Sequence, residues 1–190
     1  MDTSLNEKVK QSIQNLKDKK SRIYFLVQDT KGNAKASVRL IYQMAKILLD
    51  GGFNPIILHE KQDYAGVIAW LDEEYMLIPH KPIEGQNLEI GPEDFIVIPE
   101  VFGYIMEQIK NLPCGKIVLT QNYNHIVETL QPGQNWAQYG FFKCLTTTKK
   151  QQEYVESVMR QSSFDIIKPL ITENFYPKNL PPMPIIGVHT

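Results

Sequence analysis

Glu100 is the residue best suited to chemistry in this chain. It follows Pro99 at the end of an apolar run, Asp94–Ile98, and stands at the head of a helix predicted over Val101–Asn111. A helix dipole favours a carboxylate at that position, and the carboxylate can bind a substrate hydroxyl or act as a base. A plain helix-capping carboxylate has the same sequence signature. A second group, Gln121, Asn122 and Tyr123, follows another apolar run, Lys116–Leu119, and continues into Asn124 and His125. Amides, a ring and an imidazole in one loop suit sugar hydroxyls, although an ordinary loop carries them too. A third group, Asp29, Lys31, Gly32 and Asn33, lies in the polar stretch Gln28–Lys35 ahead of a helix. The first N–H groups of such a helix favour an anion. Tyr123, Trp136 and Tyr139 are rings that can stack on a sugar face or close over a core.

Other chemistries are poorly served. The loop after the first run has one glycine, Gly32, and forms neither GxGxxG nor GxxxxGK[ST], so dinucleotide and P-loop binding are not expected. Gly32 reads equally as a plain turn glycine. His59, His80, His125 and His189 show no metal-ligand spacing, and no metal or cofactor is expected. No GxSxG elbow is present. Cys114 and Cys144 sit in or beside apolar runs and read as buried thiols of a reducing compartment.

These residues must be positioned by the elements around them. Arg22–Val27 is a short, nearly continuous apolar run, the mark of a strand buried on both faces. Ala36–Asp50 is an amphipathic helix closed by Gly51 and Gly52, and Pro55–Leu58 is the next strand. This β-α-β unit is followed by a weak helix at Tyr64–Leu71, a short strand at Met76–Ile78 and a loop at Pro79–Pro92. Strands at Asp94–Ile98, Lys116–Leu119, Phe141–Thr147 and Phe164–Pro169 alternate with helical segments at Val101–Asn111, Asn124–Leu130 and Lys149–Gln161. The alternation predicts an α/β fold: a Rossmann-like open parallel sheet with helices on both faces. Ligands of such sheets bind beyond the carboxyl ends of the strands, where all three polar groups fall.

The 190 residues, 43% hydrophobic and 22% charged with a net charge of −1, describe an ordinary globular chain. Nothing in that charge collects nucleic acid. The polar segment 1–21 reads as a lead-in helix and not a secretory signal, and no apolar run reaches membrane-spanning length. The expectation is a cytoplasmic protein, with peripheral membrane contact left open. Residues 22–179 form the expected domain. Residues 180–190, a Pro-rich linker and Ile185–Thr190, read as the first strand of a second domain or as a last strand of the same sheet.

In element order and character the chain resembles the N-terminal, acceptor-side domain of GT-B glycosyltransferases of the group 1, family 4-like type. Ile23–Val27, Gly32 and Ala36–Asp50 resemble the opening strand, loop and helix of that domain, and Gly51–Leu58 resembles its next step. Asp94–Glu100 resembles an Asp-led strand ending near the cleft, and Lys116–Tyr123 the following strand and cleft loop. Ile167–Pro177 resembles the interdomain segment, and Pro184–Thr190 the opening strand of the donor domain. Pro99 and Glu100 replace a histidine common in the family, which makes Glu100 a positional substitute. The resemblance implies transfer of a sugar from a nucleotide-sugar donor to a glycan or lipid-linked acceptor. This chain would be the acceptor half: Glu100 catalytic, with Asp29, Lys31, Gly32, Asn33, Gln121, Asn122 and Tyr123 holding the acceptor. The donor would bind a second domain, so the 190 residues alone are expected to be inactive. The rival readings are a stand-alone Rossmann-like ligand-binding or interaction module without catalysis, and a complete nucleotide-dependent enzyme of another class.

Overall fold

The computed structural model describes residues 7, 10, 11, 13–15, 18, 21–62, 70–85, 87–122, 124–159 and 164–167. The described positions before residue 21 are helical. The expected helix over Tyr64–Leu71, the linker and the strand at Ile185–Thr190 lie largely or wholly outside the described residues.

Among the described residues seven strands form one sheet: β1 (Arg22–Val27), β2 (Asn54–His59), β3 (His80–Pro82), β4 (Phe95–Pro99), β5 (Gly115–Thr120), β6 (Phe141–Thr146) and β7 (Phe164–Ile166). Their order is β3-β2-β1-β4-β5-β6-β7, and every pairing is parallel. This is the α/β Rossmann-like fold that the alternation predicts. The chain leaves β1 toward β2 on one side and later returns to β4 on the other. The direction of winding therefore reverses between β1 and β4, the place at the carboxyl edge where open α/β sheets bind ligands.

Successive side chains of a strand face opposite sides, so β1 feeds two cores. Tyr24 and Leu26 join Ile56, Leu58, Ile96, Ile98, Val118 and Cys144 on one face. Phe25 and Val27 join Ile57, Val97 and Leu119 on the other. Each such side chain, fully buried, contributes roughly 1.5–3 kcal/mol. The second face is covered by α1 (Ala36–Asp50), whose Val38, Ile41, Tyr42 and Ala45 recur at helical spacing. Gly52 ends this helix at φ 79°. Its N–H donates to Leu49 O, and the Phe53 N–H donates back to Leu48 O, the hydrogen-bond pair of a Schellman stop.

The first face carries α2 (Met106–Ile109), α3 (Asn124–Thr129) and α4 (Lys149–Met159), with Met106, Ile126, Val155 and Met159 inward. The connection from β3 to β4 changes sides and lays Leu88 and Ile90 against this core. It is clamped where it ends: the buried Asp94 carboxylate accepts from Arg22 N, Nε and Nη2 and from Gly91 N. Asp94 thus fastens the amino edge of the sheet.

Two expected elements differ. Met76–Ile78 is not a strand: Glu73–Leu77 forms a 3-10 turn that buries Tyr75, and the strand follows at His80–Pro82, inside the expected loop. Val101–Asn111 is not one helix: a 3-10 helix, Glu100–Ile105, bends at Phe102 (φ −91°, ψ 29°) before α2.

Candidate functional site

The β1 loop closes on itself. Lys31 (φ 50°) and Gly32 (φ 80°) are both left-handed, and the Asn33 N–H donates to Thr30 O, a type I′ turn. Asp29 Oδ1 accepts from Lys31 N. The Lys31 and Asn33 N–H groups are thus used within the loop. Asp29, Lys31, Gly32 and Asn33 are all exposed. Beneath them Thr30 is buried and its hydroxyl accepts from Trp70 Nε1.

Glu100 sits just past β4, on the reversal point of the sheet. Only 3% of its side chain is exposed. Its Oε2 accepts from Gln121 N at 3.1 Å and its Oε1 from Asn122 N at 2.8 Å. The same Oε1 lies 3.2 Å from His125 Nδ1. One carboxylate therefore binds the backbone of the β5 loop and orients an imidazole on α3. Burial raises its pKa above the ordinary carboxylate value, while the N–H groups of Asn122 and Gln121 oppose the rise.

The supports of this group are local. Asn122 Oδ1 accepts from Asn124 N and turns the chain into α3. Thr129 Oγ1 donates to His125 O or to Glu100 O, tying the far end of α3 to the start of the 3-10 helix. Gly103 lies so close to Thr129 that a Cβ built on it would stand 2.4 Å from Thr129 Cβ. Gln151 of α4 donates from Nε2 to Gln121 O and accepts from Thr147 N, joining the loops after β5 and β6.

The structure thus brings Glu100, Gln121 and Asn122 together. Tyr123 lies outside the described residues. The β1 loop residues form their own turn across the reversal point. Trp136 and Tyr139, read from sequence as rings that could stack on a sugar, are buried in the first core, because Asn135 and Gln138 form a capping box that folds both inward.

Sequence reasoning left three features unassigned. In the sequence His125 reads with the loop after Leu119 and the helical segment Asn124–Leu130 and takes no role of its own; its partner, Glu100, lies 25 positions away, beyond any local pattern. His59 and His80 showed no useful spacing, yet neighbouring strands bring His59 Nε2 to 2.9 Å from His80 Nδ1, with the rings stacked. Burial, and next His80, push the His59 pKa down to about 3, and burial lowers that of His80. Tyr104, on the 3-10 helix after β4, donates its hydroxyl to Glu60 Oε1 at 2.5 Å.

A buried carboxylate that holds one imidazole nitrogen fixes the tautomer of the ring. With the Nδ1 proton directed at Glu100, Nε2 carries the lone pair, and 35% of the His125 side chain is exposed. The arrangement can take a proton from a hydroxyl and stabilise the resulting imidazolium. Among the described residues no group of three or more His, Cys, Asp or Glu side chains is arranged to hold a metal. No helix among them is long and apolar enough to cross a membrane. Cys114 and Cys144 are buried free thiols. Compared with protein-family models, curated proteins and solved structures, the chain matches none.

Proposed function

We propose that this chain is the acceptor-binding half of a GT-B-type glycosyltransferase, which moves a sugar from a nucleotide-sugar donor to a hydroxyl of a glycan or lipid-linked acceptor. The observation that carries the reading is the Glu100–His125 pair beside the reversal point of the sheet. In this reading His125 Nε2 takes the acceptor's hydroxyl proton while the acceptor oxygen bonds to the anomeric carbon and the nucleotide phosphate leaves. Glu100 is the positioning carboxylate, and Gln121 and Asn122 line the acceptor's approach. The resemblance in element order supports the donor class.

The test uses protein expressed from the complete reading frame, a panel of nucleotide-sugars, and acceptors that include polyprenyl-phosphate sugars. His125→Ala is expected to lower kcat by about 10²–10⁴, the usual worth of a general base, and to change the acceptor KM far less. Full transfer by His125→Ala, or no transfer by the parent protein to any acceptor, would sink the reading. A second reading, a ligand-binding module without catalysis, is favoured by one fact: both oxygens of Glu100 accept backbone N–H groups, as in a purely structural anchor. It predicts acceptor binding with no turnover.

A further inference from the structure

β1 lies between β2 and β4 in the sheet. Glu60 follows β2 and Tyr104 follows β4, so their hydroxyl–carboxylate bond crosses over the carboxyl end of β1. We propose that the Tyr104 ring and the Glu60 carboxylate form a carbohydrate subsite at this crossing, the ring stacking on a neutral pyranose and the carboxylate accepting its hydroxyls.

Three observations converge. Tyr104 is 59% exposed, so a ligand can reach its ring. The ring is nevertheless held at both ends: its hydroxyl binds Glu60, and its body rests on the buried Phe102, 5.9 Å between centroids at 52°. An exposed aromatic fixed in advance loses little freedom when a ligand stacks on it. Burial, and next Glu60, raise the phenol's pKa, so it remains a protonated donor to the carboxylate.

The chemistry of the place selects the ligand. A carboxylate offers about four acceptor positions, and one bond to Tyr104 leaves capacity for vicinal hydroxyls. Glu60 and the phenol hydroxyl bound to it offer hydrogen-bonding oxygens beside an aromatic face, which suits an uncharged, hydroxyl-rich ring. Tyr104 and Glu100 lie on the same bent 3-10 helix at the carboxyl edge of the sheet. In the acceptor reading, a glycan bound at Tyr104 extends along this edge toward His125.

The subsite deepens the acceptor reading and rests on it for its orientation. Methyl α-glucoside, methyl α-mannoside and N-acetylglucosamine are titrated separately by saturation-transfer NMR, with uridine monophosphate as the anionic control. At least one sugar is expected to receive saturation on its ring C–H groups and to compete with the others. Tyr104→Ala should weaken it about tenfold or more. Tyr104→Phe, which keeps the ring, should weaken it by about threefold or less, and Glu60→Gln should fall between the two. Circular dichroism melts confirm that each variant folds. Equal sugar binding by Tyr104→Ala, or binding of the monophosphate alone, overturns the subsite. The two proposals fail separately. Sugar binding that survives Tyr104→Ala in a protein whose transfer needs His125 removes the subsite only. Tyr104-dependent binding in a protein that transfers nothing keeps the subsite and removes the transferase.

Discussion

Burial and hydrogen bonding pull Glu100 in opposite directions. Desolvation prevails, and the pKa stands above 4.5 despite the N–H groups of Asn122 and Gln121. A carboxylate raised in this way stabilises the fold at low pH, and that contribution is lost as pH rises through its folded value. The buried histidines carry the opposite sign. His59, held near 3, and His80, also lowered, refuse protons that their unfolded counterparts accept below 6.5. Stability from that pair rises with pH between about 3 and 6.5. Two histidines outweigh one carboxylate, so the urea midpoint is expected to climb from pH 4.5 to 6.5. Each withheld proton contributes at most about 1.4 kcal/mol per pH unit. His59→Gln should flatten the climb, and an unchanged slope would show that His59 is not held neutral. At this scale the sequence marks Glu100, Gln121 and Asn122 as polar groups after buried strands, but not the bonds that join them. The partners of Glu100 are backbone N–H groups 21 and 22 positions away and an imidazole 25 away, a relation that no local pattern contains.

The short elements after β4 and β5 work as a pair. The 3-10 helix Glu100–Ile105 and α3 meet at Gly103 and Thr129, where there is no room for a methyl group: a Cβ would also stand 2.7 Å from Thr129 O. Backbone oxygen does not yield as a side chain does, so Gly103→Ala should force the two elements apart at about 1–3 kcal/mol. The shift would loosen Thr129 from Glu100 and move His125. Thermal melts read the first effect, and the His125 ring signals in NMR read the second; an unshifted imidazole with a lowered Tm would uncouple packing from the site. Long apolar or amphipathic runs declared themselves plainly in the sequence: β1 and α1 have the boundaries read there. The elements that support the site did not. Glu100–Ile105 bends at Phe102 and β3 spans only three residues, too short for any periodicity to build up.

Across the whole molecule, protection should follow position in the sheet. β1, β4 and β5 pair on both sides beneath two cores, whereas β3 and β7 are three-residue edges of the sheet formed by the described residues. Amide exchange is expected to be slowest in Tyr24–Val27 and Ile96–Ile98 and fastest in β3 and β7; comparable protection in β7 would mean that its edge is covered. The parallel topology was legible because buried strands alternate with crossovers of the right length. The strand order was not, since neither the switch of faces between β3 and β4 nor the Arg22–Asp94 clamp that secures it leaves a mark in local sequence. The same sheet has an evolutionary consequence. Tyr24 and Phe25 are adjacent in the chain, yet they belong to cores that never meet. Packing beneath α1 can drift from one descendant to the next without disturbing Phe102 and Ile126 under the Glu100–His125 pair. Only through Val97 and Leu119, on the strands that lead into Glu100 and Gln121, would change on one flank reach the chemistry of the other.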